Sequence, residues 1–136
     1  MIIASNVHKR FGKLNALYDV NISCGRGQVI SLIGPNGSGK TTFIKCLLGM
    51  VVPDSGFITF NGKNIQHDWA YRTHIGYMPQ IGKFPEQMTI GQLVDMMKDI
   101  RRDPARSLDE ELLRLFGLDL ILGKRLGTLS GGTRQK

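Results

Sequence analysis

The run Gly34-Pro35-Asn36-Gly37-Ser38-Gly39-Lys40-Thr41 limits what this chain can fold into more than any other stretch of it. It fits the pattern G-x-x-x-x-G-K-[ST], with an apolar segment before it (Val29–Ile33) and a helical pattern after it (Gly39–Leu48). An apolar strand must therefore feed a tight glycine turn that opens a helix. Glycines let the backbone curl until successive N–H groups converge on one point. The helix adds its own free N–H groups and the positive end of its dipole. The product is a cradle for phosphate. Lys40 supplies a point charge for β- and γ-phosphates, and the Thr41 hydroxyl is placed to ligate Mg²⁺. A charge-assisted bond of the Lys40 type contributes about 1.5–3 kcal/mol. A glycine-rich turn without a ligand is the weaker reading once the strand and helix around it are counted.

The elements around this loop follow from local patterns. Ile2–His8 reads as a first strand. In Tyr18–Cys24 the side chains of Tyr18, Val20, Ile22 and Cys24 alternate with polar ones, the period of a half-buried strand. After the Gly25-Arg26-Gly27 turn, Gln28–Ile33 reads as a strand buried on both faces. Gly49 stops the helix. Pro53-Asp54-Ser55-Gly56 turns into a strand at Phe57–Phe60, and Asn61-Gly62 is a hairpin signal leading to Lys63–Ile65. Thr73–Met78 reads as a further strand that ends at Pro79-Gln80.

Beyond Gln80 the pattern becomes helical. Ile90, Leu93, Val94, Met97 and Ile100 share one helix face, opened by a capping box at Thr89…Gln92. A second box at Ser107…Glu110 opens a stripe of Leu108, Leu112, Leu115 and Phe116, which Gly117 ends.

Composition narrows the function classes. The 136 residues fit one domain of ordinary globular make-up. Eighteen Lys and Arg against eleven Asp and Glu leave a charge of +7, suited to a polyanion, a membrane surface or a phosphate ligand. The two cysteines, Cys24 and Cys46, are too distant in sequence for a metal pair and read as buried, reduced thiols. His8, His67 and His74 lack ligand spacing, and no apolar run approaches membrane-spanning length.

A second glycine motif, Leu129-Ser130-Gly131-Gly132, stands just before what reads as another helix start. With both motifs in this order, the sequence resembles the ATP-binding subunit of ABC transporters along all 136 residues. The resemblance implies an α/β fold: a P-loop NTPase core of ABC type with an antiparallel β subdomain and a small helical subdomain, the C-terminal strands of the core sheet missing. Residues 1–88 would form the nucleotide-binding core, 89–128 the helical subdomain, and 129–136 the signature motif and its helix start, together a partial ABC ATP-binding domain.

It also implies ATP and Mg²⁺ as cofactors. Gly34, Pro35, Asn36, Gly37, Ser38, Gly39, Lys40, Thr41 and Thr42 match the Walker A motif, and Phe11 matches the aromatic that stacks on adenine, with Ala16 touching the same ring. From the residues alone, Phe11 fits a core position equally well. Gln80 matches the glutamine that ligates Mg²⁺ beside Thr41 and, with Lys40, serves catalysis. Ser130, Gly131 and Gly132 match the signature that caps the ATP of a partner subunit in a head-to-tail dimer. Thr133 departs from the usual glutamine, as in branches that include small exporters.

The partners implied are that second ATP-binding subunit and a membrane-spanning transporter subunit. The implied location is cytoplasmic, peripheral on the inner face of the membrane. Nucleic acid is not expected, because the residues between Gln80 and Ser130 form a compact two-helix pattern with no long insertion. The alternatives are an ABC ATPase acting on nucleic acid and a nucleotide-binding module without catalysis.

Hydrolysis needs a second acidic Mg²⁺ ligand and a group that orients water. Asp95, Asp119 and Glu110-Glu111 do not close an apolar strand, so the expectation is a truncated ATPase that binds nucleotide weakly and is inactive alone. The same reasoning expects an exposed apolar edge at Gln28–Ile33, a marginal fold, and association through that edge.

Overall fold

The computed structural model describes residues 1–66, 68–79, 84–101 and 110–134. The chain falls into two compact units, 1–77 and 78–136.

The first unit is built on a four-stranded antiparallel sheet in the order β2-β1-β3-β4. The strands are β1 (Ile2–Phe11), β2 (Leu14–Cys24), β3 (Ser55–Phe60) and β4 (Lys63–Asn64). β1 lies between β2 and β3: Ala4 faces Ile22 on one side and Ile58 on the other. Asn61 and Gly62 both have positive φ (50° and 80°), which gives the β3–β4 turn the twist a two-residue hairpin requires. The eight-residue helix α1 (Lys40–Leu47) packs onto the sheet. Ala4, Val7, Leu17 and Ile58 from the strands meet Phe43 and Cys46 from α1, and Ile65 and Tyr71 complete the core.

The expected alternation in β2 holds for Val20, Ile22 and Cys24 but not for Tyr18, which is 75% exposed. The cause is a pair of facing irregularities. Ala4 and Val7 both point inward, as do Leu17 and Val20, although each pair is three residues apart. The extra residue is absorbed at Asn6 (φ 48°) and Asp19 (φ 49°), left-handed positions that Asn and Asp tolerate. The Asn6 side-chain amide donates to Asp19 Oδ1 at 2.8 Å, and the Asn6 N–H donates to Asn21 Oδ1 at 2.8 Å. Tyr18 is turned outward and meets His8 edge-on at 5.1 Å.

Two expected strands are absent from the ladders. Gln28–Ile33 joins no strand ladder among the described residues, and Val29 (96%) and Ile33 (93%) are exposed rather than buried. Apolar content alone does not bury a strand; it needs neighbours on both sides, and all four described strands belong to the antiparallel sheet. Residues 73–78 also form no strand: Ala70–His74 is a 3₁₀ turn, closed by the Thr73 hydroxyl donating to the Ala70 carbonyl. Cys46 is buried, and Cys24 is only half-buried. Burial pushes the Cys46 thiol pKa up, so it stays a neutral core group.

The second unit holds α2 (Ile90–Arg101), α3 (Glu110–Leu115) and α4 (Gly131–Arg134). The capping box at the start of α2 is formed reciprocally: the Thr89 N–H donates to Gln92 Oε1 at 2.9 Å, and the Gln92 N–H donates to Thr89 Oγ1 at 3.2 Å. The next N–H groups, of Ile90 and Gly91, donate to the Lys124 and Leu122 carbonyls. The segment leading into α2 is thereby strapped to the segment leading towards Ser130, with Ile90 and Leu126 buried between them. The proposed box at Ser107 and the Leu108 position lie outside the described residues. The rest of that stripe is open, with Leu115 75% exposed and Phe116 44%, and Leu113 is half-buried in its place. Gly117 (φ 64°) ends α3 as expected.

Asp54 closes the β1 end of the first sheet. Its carboxylate accepts from Lys9 Nζ at 2.8 Å and from the Arg10 N–H at 2.7 Å. These bonds, the Lys9 one first, hold its pKa below the ordinary 3.8. A folded-state pKa below the unfolded one stabilises above about pH 4, and that contribution is lost as pH falls through the folded value. Asp54→Asn should therefore lower the unfolding temperature at pH 7, and the gap to wild type should narrow as pH falls through the folded pKa. Thermal unfolding at pH 7 and across an acid series checks this; a gap that stayed constant would contradict it.

Candidate functional site

The glycine loop sits where β2 and α1 meet. Gly39 caps α1 with φ 87°, and a Cβ placed there would stand 2.2 Å from the Ala16 carbonyl oxygen and 3.0 Å from Leu17 Cδ2. Both the conformation and the contact exclude a side chain. A Cβ on Gly34 would meet Ser38 Oγ at 2.8 Å, so the loop closes tightly on itself. The turn is pinned by the Ser38 N–H donating to the Pro35 carbonyl at 3.2 Å, and Gly37 takes φ 85°.

No side chain caps the N-terminus of α1. Its first intrahelical bond runs from the Phe43 N–H to the Gly39 carbonyl at 2.8 Å, so the earlier N–H groups of the turn have no acceptor within the helix. Lys40 folds back across the loop, its ammonium donating to the Gly34 carbonyl (2.8 Å), the Pro35 carbonyl (2.7 Å) and Ser38 Oγ (3.3 Å). An ammonium has three donors, and these three acceptors use them. The charge is held over the loop mouth and not swung into bulk water. Thr41 is exposed in the first helical turn and Thr42 is half-buried behind it.

This arrangement can bind an anion that brings several oxygens. Helix amides, the dipole end and one ammonium converge there, and the loop is open to solvent from Ser31 to Ser38. A triphosphate with Mg²⁺ fits the donor set: amides and Lys40 for phosphate oxygens, and the Thr41 hydroxyl for a hard cation. Among the described residues no cluster of three or more His, Cys, Asp or Glu forms a metal site by itself, so a cation here would depend on the phosphates for most of its ligands.

Ala16 lies against the loop, its backbone carbonyl facing Gly39. Phe11 ends β1 opposite Leu14 with its ring 48% exposed, which removes the core alternative for this side chain. Lys9 Nζ stands 5.4 Å from its centroid. Gln80 lies outside the described residues. In the second unit, Ser130 is the residue before α4, and Gly131 and Gly132 fall inside its first turn instead of before it. The Ser130 and Thr133 hydroxyls share a hydrogen bond of 2.9 Å, and the Thr133 N–H donates to Ser130 Oγ at 3.4 Å. Thr133 therefore completes a local cap.

Sequence reasoning missed the other end of α1. The Tyr71 hydroxyl donates to the Leu47 carbonyl at 2.9 Å, and Arg72 Nη2 donates to the Gly49 carbonyl at 2.8 Å. Arg72 also lies 4.3 Å from the centroid of the Trp69 ring. The clustered Trp, Tyr and Arg of residues 69–72 were the available signal, masked by the strand expected to start at Thr73.

A family model described as ABC transporter matches residues 17–136. A sulfate/thiosulfate import ATP-binding protein (CysA) of Synechocystis sp. is 36% identical over 138 aligned residues, covering 99% of this chain and 39% of that protein. The L-cystine import ATP-binding protein TcyN of Bacillus subtilis is 31% identical, covering all of this chain and 57% of that protein. The chain thus spans less than two thirds of the length of either relative. A solved ATP binding subunit of an ABC transporter superposes with a TM-score of 0.83 at 29% identity, covering 98% of this chain and 57% of that one.

The seat of the loop gives a direct prediction. Gly39→Ala should lower the unfolding free energy by about 2 kcal/mol or more, through a left-handed alanine and a clash with the Ala16 carbonyl. Denaturant unfolding checks it, and an unchanged midpoint would contradict the described geometry.

Proposed function

This chain belongs to the ABC transporter family, and from that premise we propose that it is the nucleotide-binding part of an ATPase subunit that powers a separate membrane-spanning partner. The observation that carries the reading is the loop at Gly34–Thr42: turned glycines, an uncapped helix start and an ammonium held across the mouth.

In this reading the amides from Gly37 to Thr42 bind the phosphate tail, and Lys40 exchanges its loop carbonyls for β- and γ-oxygens. Thr41 and Gln80 would hold Mg²⁺, which would supply positive charge against the phosphate oxygens. Phe11 stacks on the adenine, with Ala16 beside it; such stacking contributes about 1–3 kcal/mol where nucleic-acid bases have been measured. Ser130, Gly131 and Gly132 cap the nucleotide of a second ATP-binding subunit, and the Ser130–Thr133 bond sets the direction of that hydroxyl. Residues 1–88, 89–128 and 129–136 act as nucleotide core, helical subdomain and signature segment.

Carboxylates that follow an apolar strand and activate water are not found among these 136 residues, so residues 1–136 alone bind nucleotide without useful hydrolysis. The work is done at the cytoplasmic face of a membrane. No helix among the described residues is long and apolar enough to cross one.

Binding of magnesium ATP to wild type and to Lys40→Ala tests the reading. Losing one charge-assisted contact should weaken binding about tenfold or more. Equal affinity in the two proteins would remove the phosphate cradle from the account.

A further inference from the structure

The N-terminal end of α1 carries the phosphate-binding amides, and its C-terminal end is held from outside. We propose that Arg72, stacked on Trp69 and bonded to the Gly49 carbonyl, acts with Tyr71 on the Leu47 carbonyl as a positioning clamp that keeps α1 aligned for phosphate binding. The inference rests on the proposed cradle and names residues that would act on it from behind.

Three observations carry it. First, the clamp meets orphan groups. The last carbonyls of a helix have no partner within it; here the Leu47 carbonyl, and that of Gly49 just past the Leu48 cap, each receive a side-chain donor. The Arg72 cation also suits the negative end of the dipole. Second, the fit is close. Gly49 has φ 65°, and a Cβ there would stand 2.5 Å from Arg72 Nη2, 2.9 Å from the Tyr71 hydroxyl and 3.2 Å from the Trp69 ring. Three side chains converge on the one residue that lacks its own. Third, α1 is only eight residues long, about 12 Å, too short to hold its shape unaided. Its front end rests on Ala16, its middle is buried through Phe43 and Cys46, and its back end is held by this clamp. Hydrogen bonds weaken steeply with angle, so a small tilt at the back degrades several amide–phosphate bonds at the front.

Tyr71 is buried and belongs to the core, whereas Arg72 is exposed. Arg72 can therefore be changed with the core intact. The test measures magnesium ATP affinity and unfolding temperature in the full chain for wild type, Arg72→Met, Arg72→Lys, Tyr71→Phe, Lys40→Ala and Ile22→Val. Arg72→Met keeps the aliphatic stem and loses the donor; it should weaken binding about fivefold. Arg72→Lys keeps a cation able to reach the Gly49 carbonyl and should restore most of that loss. Tyr71→Phe, which removes one hydroxyl and keeps the ring, should weaken binding in the same direction and decides the matter if Arg72→Met does not fold. Ile22→Val is a control that lowers stability from a half-buried position on β2 and should leave affinity unchanged.

If Arg72→Met and Tyr71→Phe bind like wild type while Lys40→Ala does not, the clamp is overturned and the cradle stands. An affinity loss in Ile22→Val matching that in Arg72→Met also overturns the clamp, since general destabilisation would then explain it. Failure of wild type itself to bind removes cradle and clamp together.

Discussion

The contact between Gly39 and the backbone of β2 at Ala16 places every group on the phosphate side of the first unit. The approach is too close for a side chain, so the helix start is pressed against the sheet with its leading amides beside the loop. Phe43 and Cys46 fix the rotation of α1 by burial against Ala4, Val7, Leu17 and Ile58. Once axis and rotation are set, Lys40 can point only back over the loop, where the Gly34 and Pro35 carbonyls receive it. Site geometry is here a consequence of core packing. A helix of this length has little stability of its own, and burial supplies it.

The sheet beneath is stiffened by the polar bonds at its facing irregularities. Asp19 accepts from both Asn6 and Asn21, and these bonds lower its pKa. Bulges add twist and re-aim side chains. Here they put Leu17 under the helix and turn Tyr18 away from it, so the inward set matches the face of α1 and not the period of a flat strand.

What could be read in advance was chemistry confined to a few neighbouring residues. The Thr89 and Gln92 box, the Asn61-Gly62 hairpin, the stops at Gly49 and Gly117 and the glycine loop each follow from contacts within a short span. Features that depend on distant groups could not be read. Nothing local to Asp19 announces a bulge, because its cause includes the amide of Asn6 on another strand. The segment from Ala70 to His74 coils because Tyr71 and Arg72 reach the end of α1, a pull invisible in its own pattern. Val29–Ile33 is apolar enough for a central strand, yet pairing requires a neighbour that patterning cannot name. The exposure of Phe11 was equally out of reach, since an aromatic at a strand end suits a core and a ligand alike.

In the proposed function, main-chain amides of the turn, oriented by packing, are the principal phosphate ligands. Amide proton shifts during a titration with magnesium ATP, followed by NMR on nitrogen-labelled protein, test it most directly. The account predicts that the amides of Gly37, Gly39, Lys40 and Thr41 move together and downfield, as new acceptors reach them. Saturable binding that left those four amides unmoved, or that shifted residues elsewhere in their place, would contradict it.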